Sequence, residues 1–475
     1  MSSIKKNYIY NVLYQALLVI TPIITIPYLS RILGASGIGI VSFAESIVSY
    51  FVLFANLGIN TYGQREISYA QDDVKRRSVV FYNVFIAKAL TTIFVLILYI
   101  VCYFTVINSP IYLVLSIQII SVIFDITWFF QGMEEFKKIV VRNAIFKLLS
   151  VIYIFNFVKN SNGILLYCIG VVIFPFIGYL SFWLNISSYL DKINLKLVNL
   201  RSVIQESFTL FIPTIAIQIY TVFDKTMIGL ITKDAFENGY YEQSIKISRT
   251  LLLIITALST VVIPRVGYYF DKKDDKIVKD ILYKSYRFVF MMSIPMYLGL
   301  LFVANNFVPW FLGHGFEKSI ILVKIMSLLI IFIGISNITG ILYFMPTKQQ
   351  NKLTISVCIG AAINFALNCI LIPNYKSIGA AVASVIAEAI IAIVQFVLAK
   401  DYISFARILK ESYKYILSGV IMFIFLNAFM SGLSSSVKNT LIIAFSGIIV
   451  YFGFLTILKD EFFLSNLRIK NAKSI

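Results

Sequence analysis

Residues 79–105 read VVFYNVFIAKALTTIFVLILYIVCYFT, an almost uninterrupted apolar run that contains one charged residue, Lys88. A helix needs about 20 predominantly apolar residues to cross the hydrocarbon core of a bilayer. The stretch therefore predicts a membrane-spanning helix. A lysine near the centre of a bilayer costs about 2.5–3.5 kcal/mol, so Lys88 also predicts a polar interior in which a positive charge can lie.

Apolar runs of this kind fill the chain. Of its 475 residues, 59% are hydrophobic and 13% are charged, whereas a soluble domain averages about 45–50% apolar and about 25% charged residues. Continuous runs of about 20 residues favour helices, since the strands of a membrane barrel alternate over about 10 residues. We predict an all-α integral membrane protein with about fourteen transmembrane helices. The predicted spans are residues 9–32, 38–60, 79–105, 111–130, 140–157, 164–186, 208–231, 243–265, 287–312, 319–345, 353–373, 378–399, 415–432 and 438–458.

Basic residues concentrate in every second connection between these helices, for example in residues 265–287 and 400–414. Because Lys and Arg accumulate in cytoplasmic loops, the alternation predicts that both termini lie in the cytoplasm. It also accounts for the net charge of +18, so we expect no nucleic-acid partner. The connection at 266–286 has apolar residues at helical spacing and predicts an amphipathic helix at the inner surface of the membrane.

The connection near residues 187–207 follows the sixth predicted helix and marks a midpoint. We predict an N-terminal lobe at 1–190, a C-terminal lobe at 191–400, and helices thirteen and fourteen with a cytoplasmic tail at 401–475. The two six-helix lobes are expected to surround a central cavity.

Prolines interrupt the first predicted helix of each lobe, Pro22 and Pro27 in one and Pro213 in the other. Matching interrupted helices are a sequence sign of the central site of a transporter. Gly39 and Gly239 open the second helix of each lobe in a faintly similar context.

Apart from four basic residues near span ends that are assigned to the connections (Arg142, Arg265, Arg287 and Lys438), eleven charged residues lie inside the predicted spans. The basic ones are Arg31, Lys88, Lys147, Lys225, Lys246, Arg249 and Lys324, and the acidic ones are Glu45, Asp125, Asp224 and Glu388. Their ordinary role would be to form structural ion pairs. Helices joined by a tight loop bring residues equally far from that loop to the same depth. This reasoning pairs Asp125 with Lys147. It pairs Asp224 with Lys246, or with Arg249 one turn deeper. Arg31 and Glu45 also flank one loop, although less evenly.

Positive charge remains even if every one of these acids is paired. A surplus of cations around a hydrated cleft suits a phosphate or pyrophosphate group, through charge-assisted hydrogen bonds. We therefore predict that the seven basic residues line a cationic cavity that binds substrate. Asp224 and Glu388 are candidates for coupling to H⁺ or Na⁺, or for holding basic side chains in place.

Catalytic and metal-binding patterns are lacking in the sequence. His314 is the single histidine, and the four cysteines (Cys102, Cys168, Cys358, Cys369) form no CxxC pair, so we predict no metal and no cofactor. No Walker A or other Gly-rich phosphate loop is present. These observations predict a secondary transporter rather than an enzyme.

Several motifs resemble those of a known family. They are PYLSRILG at 27–34, LGINTYGQREIS at 57–68, WFFQGME at 128–134, DKTMIG at 224–229, GYYE at 239–242, PR at 264–265, IP at 372–373 and GAAVASVIAE at 379–388. From about residue 5 to 400 the chain resembles bacterial oligosaccharide flippases. These form the Wzx or polysaccharide-transport branch of the MOP superfamily, which also contains MATE drug exporters and lipid II flippases.

The resemblance implies two six-helix lobes and alternating access. The implied substrate is an undecaprenyl-pyrophosphate-linked oligosaccharide, the repeat unit of O-antigen, capsule or exopolysaccharide. It would move from the inner to the outer leaflet of the bacterial cytoplasmic membrane. The implied partners are this substrate, membrane lipids, H⁺ or Na⁺, and a polysaccharide polymerase with its chain-length regulator. Arg31, Asp224, Lys225 and Glu388 lie in the matching motifs, whereas the other basic candidates depend on the charge argument.

Two other classes are open. A MATE-type drug exporter needs an acidic cavity for cationic drugs. The basic residues here outnumber the acidic ones within the spans, which disfavours this class. An exporter of another lipid-linked precursor, such as lipid II or teichoic acid, belongs to the same class. A membrane polysaccharide polymerase or glycosyltransferase would need a sizeable outer loop, and the predicted outer connections are short.

Overall fold

The computed structural model describes residues 2–191 and 199–465, and of residues 2–16, 212–214, 216–221 and 260–261 it describes only the helical backbone. These residues form α-helices joined by short turns, and this part of the chain contains no strand. The predicted all-helical class is therefore confirmed.

The α-helices are named in chain order. The first nine are α1 (Ser2–Asn56), α2 (Ile59–Tyr69), α3 (Val74–Cys102), α4 (Pro110–Leu115), α5 (Ile117–Phe124), α6 (Thr127–Gly132), α7 (Phe136–Phe157), α8 (Ile164–Ser181) and α9 (Leu200–Thr232). The others are α10 (Ala235–Asp271), α11 (Asp275–Leu312), α12 (Lys318–Met326), α13 (Leu329–Ser336), α14 (Gln350–Tyr375), α15 (Ser377–Leu398), α16 (Phe405–Met430) and α17 (Val437–Ile457). Short 3₁₀ turns cover Ser161–Gly163 and Phe182–Tyr189, and π-helical turns cover Tyr103–Ile107 and Asn337–Phe344.

Twelve segments of the described chain are long and apolar enough to cross a membrane. The first, Leu17–Tyr69, has 53 residues and measures about 80 Å at 1.5 Å per residue. That length is enough for two crossings of a core about 30 Å thick. Its helix α1 bends at Gly34, whose φ of 67° is left-handed. With the 33-residue helix α9, these segments agree with the predicted number of about fourteen.

The residues of the predicted amphipathic helix at 266–286 are helical apart from the turn at 272–274, but they belong to two long helices. Residues 266–271 end α10, and residues from Asp275 onward are the first turns of the 38-residue helix α11. The side chain of Asp274 caps α11 by accepting a hydrogen bond from the N–H of Ile277 at 3.1 Å. The apolar residues at helical spacing therefore belong to the start of a membrane-spanning helix.

Contacts within the chain divide it into two compact units. The first contains the residues up to Gly229 together with Asp234–Gly239, and the second contains Leu230–Lys233 and the residues from Tyr240 onward. Helix α9 therefore lies in the first unit through most of its length. The predicted lobes 1–190, 191–400 and 401–475 stay a prediction.

The core of the first unit contains the aromatic motif of residues 128–132. Trp128, Phe129 and Phe130 are buried with Phe81 of α3. A β-carbon on Gly132 would lie 2.8 Å from the carbonyl oxygen of Gln64, so only glycine lets α6 pack this closely on α2. This motif therefore stabilises the packing of α2, α3 and α6.

In the second unit, α16 and α17 pack on α11. The carboxylate of Asp460, which is 1% exposed, accepts hydrogen bonds from Arg287 at 3.2 Å and from the hydroxyl of Tyr415 at 3.3 Å. The hydroxyl of Tyr451 donates to the carbonyl oxygen of Met291 at 2.9 Å. These bonds attach the last two helices of the chain to α11.

Replacing Asp460 with alanine is expected to destabilise this attachment by about 1.5–3 kcal/mol, the contribution of a hydrogen bond to a charged group, since the half-buried guanidinium of Arg287 loses its carboxylate partner. The loss would appear as a lower midpoint of thermal unfolding of the detergent-solubilised protein. Glu461→Ala is the matched control, because Glu461 is the next residue and is exposed. Equal midpoints for the two variants would contradict the assigned role of Asp460.

Candidate functional site

Lys88 of α3 is 1% exposed, and oxygen atoms surround its ammonium group. Its Nζ donates hydrogen bonds to Oδ1 of Asn60 and to the backbone carbonyl oxygen of Asp125, both at 2.6 Å. That carbonyl is available because the helix breaks between α5, which ends at Phe124, and α6, which begins at Thr127. The buried charge therefore joins α2, α3 and the α5–α6 break.

The predicted ion pair of Asp125 with Lys147 is wrong for the described residues. The carboxylate of Asp125 instead accepts a hydrogen bond at 2.9 Å from the N–H of Thr127, the first residue of α6. Lys147 is exposed on α7. Equal distance from a loop sets the depth of a residue in the membrane but not the direction in which its side chain leaves the helix.

A cavity of about 270 Å³, lined by polar and apolar side chains, lies beside Asn60 in the first unit. Its lining includes Ser49, Asn56, Asn60, Thr61, Gln118 and Phe211. Oδ1 of Asn56 is buried and has no hydrogen-bond partner among the described residues. Since buried amides normally find partners, the cavity is suited to a ligand that both donates and accepts hydrogen bonds, as a sugar hydroxyl does.

These amides were not among the predicted site residues. Asn56, Asn60 and Gln118 are uncharged, and nothing in the apolar spans marks them as different from other polar residues. The one signal was indirect, since the buried charge of Lys88 requires acceptor groups nearby.

Asp224 and Lys225 lie on α9, where Asp224 is buried and Lys225 is half-buried. The residues that follow are held to α1. The hydroxyl of Thr226 lies 3.0 Å from that of Tyr50 and donates to Oγ of Ser46 at 3.0 Å. The amide of Asn238, in the orientation that satisfies both its ends, donates to the carbonyl oxygen of Lys225 at 2.9 Å.

Next to this network, two backbone segments of the first unit meet without intervening side chains. A β-carbon on Gly39 would overlap the carbonyl oxygen of Ala235, and a β-carbon on Gly239 would overlap that of Ala35. The contact is reciprocal, and each partner has the pattern of two small residues four positions apart, which permits close helix approach in membranes. We call the contact of Ala35 and Gly39 with Ala235 and Gly239 the glycine seam.

Lys246 of α10 forms an ion pair with Glu242 at 2.9 Å, one turn earlier on the same helix. The side chain of Glu242 is 5% exposed, and it was missed among the predicted acidic residues. The i,i+4 spacing of the two residues could have revealed it. Glu242 reduces the predicted surplus of positive charge, while the pairing of Lys246 with Asp224 stays a prediction.

The structure places the other predicted site residues as follows. In the first unit, Arg31 is exposed shortly before the bend at Gly34, and Glu45 is half-buried after it. In the second unit, Arg249 is exposed on α10, Lys324 is half-buried in the last turn of α12, and Glu388 is buried on α15. Within the described part of the chain, the guanidinium of Arg249 has no hydrogen bond or ion pair. No group of His, Cys, Asp and Glu there is arranged to hold a metal ion.

Many of the described helices are long and apolar enough to cross a membrane, and several carry buried charged or amide residues, as in a multi-span membrane protein. The chain resembles the solved structure of a lipid II flippase MurJ in an inward closed conformation, with a TM-score of 0.75, 19% identity and coverage of 96% of this chain and 99% of that chain. It also resembles an inward-facing multidrug resistance MATE family transporter of the MOP superfamily, with a TM-score of 0.62, 12% identity and coverage of 82% and 98%. These likenesses show the fold.

Residues 4–270 match the model of the polysaccharide biosynthesis protein family. The match spans more than half of the chain, which therefore belongs to this family. A relative in Escherichia coli (strain K12), named "Putative O-antigen transporter", is 23% identical over 403 residues, which cover 82% of this chain and 95% of the relative. The protein is thus a multi-span membrane protein of the polysaccharide biosynthesis family.

Proposed function

We propose that the protein translocates an undecaprenyl-pyrophosphate-linked oligosaccharide from the inner to the outer leaflet of the bacterial cytoplasmic membrane, with both termini in the cytoplasm. The observation that carries the proposal is the amide-lined cavity beside Lys88, within the part of the chain that matches the polysaccharide biosynthesis family. Sugar hydroxyls would exchange hydrogen bonds with Asn56, Asn60 and Gln118, and Phe211 offers an apolar ring face.

The pyrophosphate would bind to cations. Lys225 lies in a family motif, and Arg249 presents an exposed guanidinium. A guanidinium binds phosphate through two parallel hydrogen bonds. The polyprenyl tail would stay in the bilayer while access to the interior alternates between the two sides. Asp224 and Glu388 are proposed to couple this cycle to H⁺ or Na⁺.

A translocation assay on the purified protein in liposomes tests this function. The liposomes contain a fluorescent lipid-linked oligosaccharide in one leaflet, and its appearance in the other leaflet is followed by a membrane-impermeant quencher. We expect protein-dependent translocation of the oligosaccharide and none of a MATE-type cationic drug. Failure to move any of several lipid-linked oligosaccharides, with folded protein in the membrane, would refute the proposal.

Arg249→Ala and Lys225→Ala are each expected to reduce translocation by about 10- to 100-fold, because a hydrogen bond to a charged group contributes about 1.5–3 kcal/mol. The control is Lys75→Ala, which removes an exposed lysine near the start of α3. Unchanged rates in both Arg249→Ala and Lys225→Ala would exclude these two residues as phosphate ligands without excluding the function.

A further inference from the structure

A second groove, of about 480 Å³, lies in the first unit between α7 and the 3₁₀ turn Phe182–Tyr189. Three basic side chains, Lys137, Lys138 and Arg142, line it together with apolar side chains that include Val141 and Ile145. None of these residues belongs to the candidate site described above. A groove that is cationic in one part and apolar in another matches an amphiphile with a negative head group.

Two of the cations are held in place by aromatic rings. The guanidinium of Arg142 lies 4.3 Å from the ring centre of Phe182 and 4.9 Å from that of Tyr179. The ammonium of Lys138 lies 4.8 Å from the ring centre of Tyr189. Cation–π contacts of this kind hold a charge against the face of a ring.

An acidic residue lies close to Lys138. Glu135 pairs with Lys138 at 3.4 Å and accepts a hydrogen bond from the hydroxyl of Tyr189 at 2.9 Å. Among the described residues, the lining of the groove itself contains three basic side chains and no acidic one. It is therefore complementary to an anion.

The apolar part of the groove continues along α7. Val141, Ile145, Leu148 and Ile152 are exposed, and their spacing places them on one face of the helix. From Lys138 to Ile152 the helix rises about 21 Å at 1.5 Å per residue, which exceeds half of a bilayer core about 30 Å thick. This stripe is long enough for an acyl chain that starts at the basic residues.

We propose that the groove binds an anionic phospholipid, with its phosphate at Lys137, Lys138 and Arg142 and one acyl chain along the exposed stripe of α7. The occupant is a structural lipid of the surrounding leaflet rather than the transported substrate. The inference does not depend on the proposed function, because the groove would bind a phospholipid whatever the protein transports.

Native mass spectrometry of the purified protein, titrated with phosphatidylglycerol, tests the proposal. The test variant is Lys137→Glu/Lys138→Glu, and the matched control is Lys75→Glu/Arg76→Glu, which makes the same charge change at two exposed residues near the start of α3. We expect at least a tenfold weaker apparent affinity for the first bound lipid in the test variant and an unchanged affinity in the control. Lys137→Gln/Lys138→Gln gives a milder second variant, for which we expect a smaller loss in the same direction.

Three results would overturn the proposal. The first is an equal loss of affinity in the control, which would indicate a general effect of surface charge. The second is binding of phosphatidylcholine as tight as that of phosphatidylglycerol, which would remove the requirement for a negative head group. The third is displacement of phosphatidylglycerol by an equal or lower concentration of undecaprenyl phosphate, which would assign the groove to a polyprenyl carrier.

Discussion

Leucine at position 39 is expected to reduce translocation to near the background rate. Even the first side-chain atom would overlap the carbonyl oxygen of Ala235 in the glycine seam, and a leucine adds three more carbons. Overpacking of a well-packed contact costs about 1–3 kcal/mol and sometimes more. A penalty of that size shifts a two-state equilibrium by about 5- to 150-fold. In the proposed alternating-access cycle, the variant would rarely reach the state in which the seam is closed.

Gly39→Ala tests whether translocation requires the close approach of the two backbones. The alternative is that translocation is lost in Gly39→Leu only because leucine is large. Because the overlap begins at the β-carbon, alanine is expected to reduce translocation by about tenfold at a cost near 1.4 kcal/mol. Gly239→Ala is expected to behave in the same way, since its contact with Ala35 is the reciprocal one.

Gly453→Leu is the matched control for the seam variants. Gly453 is also a helical glycine of a membrane-spanning segment, but its β-carbon would meet no atom within 4 Å. We expect translocation like that of the unaltered protein. Normal translocation in Gly39→Leu, at equal membrane insertion, would show that the seam does not need to close during transport.

Replacing Lys88 with methionine is the second change with a large expected effect. Methionine has a similar length, but it leaves Oδ1 of Asn60 and the carbonyl oxygen of Asp125 without their donor. A buried acceptor without a partner costs about 1–3 kcal/mol. Loss of the desolvated charge offsets part of this cost. We therefore expect a modest loss of thermal stability and at least a tenfold loss of translocation, because Asn60 would no longer be held at the cavity wall.

A double-mutant cycle with Asn60→Ala tests this role of Lys88. If Lys88 acts by positioning Asn60, the two substitutions together should reduce translocation little more than either one alone. Coupling energies between residues in contact are about 0.5–3 kcal/mol. Lys75→Met, at an exposed position, is the control for removal of a positive charge. Strictly additive effects of Lys88→Met and Asn60→Ala would refute the positioning role.

The helices could be predicted from the sequence because a span is recognised by length and apolar content alone. The single charge within an apolar span also predicted that Lys88 lies in a polar interior. Partner choice could not be predicted, since it depends on the rotation of each helix about its axis. Asp125 and Lys147 were matched by depth, yet at the α5–α6 break the carboxylate of Asp125 accepts a hydrogen bond from the N–H of Thr127.

The cavity beside Asn60 escaped prediction for a related reason. Asn56 and Asn60 are four residues apart on either side of a turn at Gly58, and Gln118 comes from a helix far along the chain. Only the packed structure brings them together. Gly39 and Gly239 occupy similar positions in the two halves of the sequence. Nothing in the sequence indicated that Gly39 lies against Ala235 or that Gly239 lies against Ala35.

The glycine seam consists of backbone and methyl groups, so it contains no ionisable group and no flexible side chain. Its strength should therefore be nearly insensitive to pH and to ionic strength. Opening it would release no rotamer entropy and would break only weak dispersion contacts. The free energies of the protein with the seam closed and with the seam open can then differ by only a few kcal/mol. A bound ligand can shift the populations of two states that differ by this amount. Any dependence of transport on protons or sodium would have to arise at acidic side chains outside the seam.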